Sequence, residues 1–297
     1  MTALSWDQVG ERTFETGVDH GVLYLPDEVS GDYDTAFPWN GLTTVTESPS
    51  GAEGNAQYAD NIKYLNLISA EEFGATVEAF TYPDEFAQCD GTALPAPGVA
   101  VGQQGRRVFG LCYRTRLGND LLGTDYGYKL HLIYGAQAAP SEKAYATIND
   151  SPEAIAFSWE VTTTPVPVGV GDIKPTAQMV IDSTKVDEAD LTTLEEILFG
   201  TVGDDPRLPM PGEVIAIFTG ATTDVNMALG ANQPTFVAGT GVVTLPAVTG
   251  VTWEIDGEAV ANGAQPALAS GESSHVQATA NPGYNVVGDE EWDFQRP

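Results

Sequence analysis

The feature that most constrains this chain is a two-residue alternation running through three successive segments, "RRVFGLCYRTR" (106–116), "YGYKLHLIYG" (126–135) and "AIAFSWEVTTTPVPV" (154–168). Side chains that alternate between two faces belong to pleated strands. In the middle segment Tyr126, Tyr128, Leu130, Leu132 and Tyr134 form a strongly apolar face, and Gly127, Lys129, His131, Ile133 and Gly135 form a weaker one. In the third, Ile155, Phe157, Trp159 and Val161 oppose Ser158, Glu160 and Thr162. The expectation is an antiparallel array with one packed and one solvated side, the solvated side carrying Lys129, His131 and Glu160. "LGNDLLGTD" reads as the hairpin or extended connection between the first two strands.

The flanking sequence extends this pattern. "TFETGVDHGVLYLP" (13–26) and "GLTTVTES" (41–48) read as strands, the latter ending in the breakers "PSGAEGN". "YLNLIS" leads through a short helical turn at Ala70 to Phe73 into "GATVEAFTYP", where Ala75, Val77, Ala79 and Thr81 alternate with polar and aromatic residues. "AQMVIDS" is another strand. "KVDEADLTTLEEILFG" is the convincing helix: Val186, Ala189, Leu191, Leu194, Ile197 and Leu198 recur at helical spacing, acids crowd its first half, and Gly200 can cap its end. "VIAIF" reads as a strand closing a large domain of residues 1–220. Residues 221–233 read as a linker, and 234–297 as a small β-sandwich with Phe236, Trp253, Tyr284, Trp292 and Phe294 as its aromatic core. The fold class is thus mainly β: a sandwich or partial barrel with one flanking helix, plus a small C-terminal sandwich.

Composition excludes some functions. Among 297 residues, 42 acidic against 12 basic side chains give a net charge of -30, which opposes a nucleic-acid-binding surface built on clustered Lys and Arg. The start lacks a basic then apolar leader, and no stretch approaches the roughly 20 apolar residues of a membrane span, so a chain made in a cytoplasm and remaining soluble is expected. Cys89 and Cys112 lack metal-type spacing and are expected to be free, buried thiols. His20, His131 and His275 lie in three separate strand settings, and no H-E-x-x-H, G-x-S-x-G or Walker loop occurs. In "GESSH" the adjacent Ser274 and His275 point to opposite faces and cannot form a nucleophile–base pair. "GDDP" and "GDEEWD" lack the ligand spacing of a calcium loop. No catalytic, cofactor-binding or metal-ligating residue is predicted, and the chain is read as a non-enzyme.

The blocks "GATVEAFTYPDEFAQCDG", "FGLCYRTRLGNDLLGTDYGYKLHLIYGAQAAPSEKAYATINDSPEAIAFSWEVTTTPVPV" and "KPTAQMVIDST" resemble the major tail protein, or tail tube protein, of long-tailed non-contractile bacteriophages of Gram-positive hosts. Residues 234–297 resemble the immunoglobulin-like or bacterial-surface modules appended to such proteins. The resemblance implies a virion protein of the phage tail, synthesised in the host cytoplasm, that forms six-fold rings stacked into a tube for genome passage. It implies tape measure, tail terminator and distal tail proteins as partners, transient passage of double-stranded DNA without specific binding, and no membrane. It also implies an N-terminal arm and an extended loop bridging rings, with candidates in 1–15, 27–42 and 115–128. The named contact candidates are Tyr33, Phe37, Trp39, Leu121, Leu122 and Tyr126; a 27–42 loop folded back on its own core is the open alternative. An acidic or neutral channel wall would let DNA slide, and the C-terminal module would project outward with possible weak host-surface contact. The competing readings are a secreted carbohydrate-binding β protein and, third, a glycan hydrolase with paired carboxylates.

Overall fold

A computed structural model describes residues 4–148, 150, 154–220, 223–228, 230–281 and 284–297. The chain divides into two compact units, Met1–Pro211 and Gly212–Pro297. Unit 1 begins with β1 (Thr13–Leu25), β2 (Thr35–Trp39) and β3 (Leu42–Glu47). A long excursion follows, made of β4 (Ser50–Gly51), β5 (Gly54–Ala59), β6 (Ile62–Ile68) and β7 (Glu71–Glu72), before β8 (Gly74–Ala79). After a 3-10 turn at Asp84–Gln88 come β9 (Ala93–Ala96), β10 (Val99–Val101), β11 (Phe109–Asn119), β12 (Gly123–Ala138), β13 (Phe157–Thr163), β14 (Gln178–Asp182) and helix α1 (Glu188–Phe199).

One sheet dominates, in the order β2-β1-β11-β12-β13-β8-β3 with β14 on β12. Its two terminal strands, β2 and β3, are joined by Asn40 and Gly41 alone, so the sheet must roll until its ends nearly meet. They meet without backbone pairing: the roll is not a closed barrel, and side chains bridge the seam. Across the seam the Trp39 indole N–H donates to the Thr81 carbonyl at 3.0 Å, while beside it the Phe80 backbone amide donates to the Gly41 carbonyl at 2.9 Å and so extends the β3–β8 pairing. A Cβ on Gly21 of β1 would come within 2.4 Å of Leu42 of β3, which measures how closely the walls approach.

Rolling reverses one expectation. The face of β12 that carries His131 and Ile133 turns into the roll, where Leu23, Leu25, Leu111, Tyr113, Ile133, Val77 and Trp159 form the main core. That face is therefore not solvated; His131 is 8% exposed and Ile133 1%. Tyr82, Phe86, Phe157 and Trp159 build an aromatic cluster there with Trp39, ring centroids 4.5 to 6.1 Å apart. The opposite face, with Tyr24, Cys112, Leu130, Leu132 and Tyr134, is also buried, and α1 lies along it as its sequence pattern requires. The Tyr24 hydroxyl donates to the Leu198 carbonyl at 2.7 Å and the Tyr128 hydroxyl to Glu195 at 2.7 Å. Asp187 caps the helix by accepting from the Ala189 amide. Both cysteines are free and buried, and burial pushes the Cys89 thiol up to about 12.

Unit 2 holds α2 (Pro211–Thr219), whose first residue lies at the division, then β15 (Thr223–Asn226), β16 (Thr235–Val237), β17 (Val242–Leu245), β18 (Val251–Ile255), β19 (Glu258–Val260), β20 (Gly263–Ala264), β21 (Ser273–Ala280), β22 (Tyr284–Val287) and β23 (Glu291–Gln295). "VIAIF", expected as a strand, lies inside α2: Pro211 occupies the first helical position, where its missing N–H costs nothing, and Gly220 follows the end at a φ of 61°. Within the expected linker 221–233, the described residues 223–228 and 230–233 include a strand and a short 3-10 turn. Its β15 pairs in parallel with β22, and Val225 and Met227 enter a core with Val243, Leu245, Trp253 and Val276. Phe236 stacks on Phe294 there, and Trp253 meets Trp292 at a tilt, with ring centroids 5.3 and 5.6 Å apart, as the composition of this segment suggested. No described helix is long and apolar enough to cross a membrane.

Candidate functional site

Two features of unit 1 stand apart from ordinary packing. The first is an arm. β3 and β8 pair in register to Glu47↔Ala75, the Ser48 amide closes the neck on the Gly74 carbonyl at 2.8 Å, and β4–β7 then β5–β6 continue the hairpin away from the core. At its tip Asp60 and Asn61 have φ of 50° and 60°, the conformation a two-residue type I′ turn demands. Tyr58, Ile62, Tyr64, Leu65, Leu67 and Ile68 are 40 to 72% exposed. Alternation puts Leu65 and Leu67 on one face of β6 and Tyr64 and Ile68 on the other, so both faces of the arm are apolar and open. Within 54–68 the charged residues are Asp60 and Lys63, which cancel. A second, shorter hairpin, β9–β10, exposes Leu94, Val99 and Val101. Six large apolar side chains on a solvated hairpin form a patch that an isolated molecule has no reason to keep.

The second feature is a polar cluster at one end of the roll's interior. His131 stacks on Tyr113, its register partner, with centroids 4.6 Å apart. Its Nδ1 lies 3.2 Å from Glu47 Oε1, which also accepts from the Tyr113 hydroxyl at 2.7 Å. Its Nε2 lies 3.0 Å from Thr115 Oγ1 and 3.6 Å from Glu15 Oε1. Thr115 donates to Glu15, and Lys129 donates to the other Glu15 oxygen at 2.6 Å. Burial lowers the proton affinity of His131 by more than Glu47 and Glu15 raise it. Burial would raise the Glu15 carboxyl, yet the hydrogen bonds from Lys129 and Thr115 outweigh it and hold the group below its usual range. Both ring nitrogens and the Thr115 hydroxyl are engaged inside the cluster, so it joins strands β1, β3, β11 and β12 rather than presenting a free nucleophile.

The other sequence candidates fall as follows. Tyr33 and Trp39 are 4% and 3% exposed, and Phe37 packs half-buried on the main core. Their loop folds back on its own unit, so Tyr33 and Trp39 cannot serve as surface anchors; the Tyr33 hydroxyl meets the Gly135 amide at 2.9 Å instead. Leu121 and Leu122 are exposed at the β11–β12 turn, beside the N-terminal segment, where the Gly10 amide donates to Asp120 at 2.8 Å. Tyr126 lines a groove of about 540 Å³ with Arg114, Arg116 and Tyr128. Lys129 and His131 point into the roll, and Glu160 is exposed on the outer face of β13. His20 lies at β1's bulge, 2.9 Å from Asp19, and His275 of β21 in unit 2 meets Asp293 at 2.8 Å. Among the described residues no group of three His, Cys, Asp or Glu converges on a metal position. The arm escaped the sequence reading, although Asp60-Asn61 between "NAQYA" and "IKYLNLI" is a hairpin signal.

No protein-family model and no curated protein matches this chain. Among solved structures it is similar to a chain in the six-fold symmetrised cryo-EM structure of the anti-feeding prophage baseplate. The two share 11% identity over 62% of this chain and 100% of that one, with a TM-score of 0.30.

Proposed function

We propose that this protein is a structural, self-assembling subunit of a phage tail and, more finely, a tail tube protein whose rings stack into the conduit for the genome. The observation that carries this reading is the arm at 48–73, whose 54–68 hairpin is neutral and apolar on both faces, on a molecule of charge -30. Burying six such side chains against neighbouring copies is worth on the order of 10 kcal/mol before the costs of association. Because both faces are apolar, the arm fits between two surfaces better than onto one. The likeness of the central sequence blocks to tail tube proteins supports the same assignment. In this reading the chain has no catalytic role, needs no cofactor and resides in the virion, and its homo-oligomer is the hexameric ring.

The roll modifies one part of the expectation. Lys129 and His131 lie inside it, so a channel wall would be built from outward-facing residues such as Glu160. Negative-stain microscopy of the full chain at high concentration is expected to reveal rings or tubes. A Tyr58→Ser/Tyr64→Ser/Leu67→Ser variant is expected to stay monomeric while unfolding like the parent, because none of the three side chains belongs to the core. A parent chain that stays monomeric at every concentration, or tubes formed equally well by the variant, overturns the assignment.

A further inference from the structure

We propose that the Glu15–His131–Glu47 cluster is a proton-operated latch on the root of the arm: it holds β3 against the opposite wall at neutral pH and releases it in acid. The geometry is specific to that root. Glu47 is the last residue of β3, and the arm leaves the body at the very next residue and returns at Gly74. No backbone ladder joins β3 to β1 across the seam, so at this end the roll is held shut by side chains. Glu47 Oε1 takes both bonds from the far wall, one from Tyr113 and one at His131.

The charged and titratable groups facing His131 are Glu15 from β1, Glu47 from β3, Tyr113 from β11 and Lys129 from its own strand. Asp182 of β14 pairs with Lys129 in register, but its carboxylate is held by Thr184 and Lys185. Protons are scarce in this set. The Thr115 hydroxyl spends its one proton on Glu15, and a neutral imidazole has a single N–H to divide between Glu47 and Thr115. A second proton on the ring would complete both contacts, but burial opposes that charge and wins. Glu15 is likewise held ionised by its partners. Both groups therefore bind protons less readily in the closed cluster than in an open one, and by linkage acid favours opening. The window starts below the ordinary histidine value of about 6.5 and continues as Glu15 protonates. Opening would free the arm and the β1 start together, since Glu15 and Glu47 root one segment each.

The bearing of the latch on assembly rests on the arm being the contact surface; the latch itself does not. Amide hydrogen exchange on the full chain, at concentrations where it is monomeric and corrected for the intrinsic pH dependence, separates the two. Peptides spanning 44–50 and 72–78 are expected to exchange at least about tenfold faster at pH 5 than at pH 7.5, the scale of one lost charged hydrogen bond. In His131→Asn that ratio is expected to fall to near one. Glu47→Gln keeps an acceptor for Tyr113 but loses the charge, and its neck should already exchange fast at pH 7.5. Peptides from β18 and β21 should respond to neither variant. Neck exchange that ignores pH in the parent chain, or an undiminished acid response in His131→Asn, overturns the latch and leaves the assembly reading to its own test.

Discussion

At the scale of single residues, unit 1 is stitched by carboxylates that serve two or more partners each. Asp19 sits at a bulge in β1 and takes hydrogen bonds from Arg114 at 2.7 and 3.1 Å and from Arg116 at 3.1 Å. The Arg114 bond is the largest influence on it, opposed by burial, and the net result holds the carboxyl far below its usual range. A folded-state pKa below the unfolded one means that the carboxylate stabilises the fold above about pH 4 and that this contribution is lost as pH falls below that value. Asp19→Asn is therefore expected to cost about 1–2 kcal/mol in urea unfolding at pH 7, reduced from the buried-pair figure because Arg116 is half exposed. The parent and variant curves should converge toward pH 2. A difference that does not shrink between pH 5 and pH 2 would mean that packing, not charge, is what Asp19 supplies.

At the scale of elements, β12 explains both what could be read in advance and what could not. Over Lys129–Ile133 it pairs with β14, and over Ala136–Ala138 with β13 on the same edge. The exchange of partners occurs at Gly135, where φ is 58° and a Cβ would sit 2.1 Å from the Thr164 carbonyl oxygen. Gly135→Ala is accordingly expected to destabilise the fold by about 3 kcal/mol or more, combining left-handed strain with a collision against backbone. Equal stability in urea unfolding would show that the strand can bend elsewhere. The alternation that revealed β11, β12 and β13 is local, and so is the spacing that revealed α1 with its Asp187 cap and Gly200 stop. Which face of β12 meets solvent is not local: it depends on Asn40 and Gly41 bringing the sheet's far end over His131, some ninety residues away in sequence. Short apolar runs are the other gap. "VIAIF" has no clear period, and its flanking Pro211 and Gly220 were the better guides. The polar cluster was half legible for the same reason: His131 and Lys129 were singled out on their strand, but Glu15 and Glu47 reach them only through the roll.

At the scale of the whole molecule, charge and apolar surface pull self-association in opposite directions, and salt decides between them. Two copies of charge -30 repel across tens of ångströms at 10 mM ionic strength, where the screening length is about 30 Å, and only across about 8 Å at 150 mM. The arm itself is neutral between 54 and 68, so once copies are close its contacts carry no charge penalty of their own. Association driven by the arm is therefore expected to strengthen by at least about tenfold between these ionic strengths. It should strengthen further in sulfate, which favours burial of apolar surface. Ion pairs between copies would give the reverse trend, weakening as screening rises. Sedimentation velocity across a salt series distinguishes the two: a monomer that assembles as salt increases is held by apolar contacts against its own field, whereas assemblies that dissolve in salt would place the decisive contacts on the acidic surface instead of the hairpin.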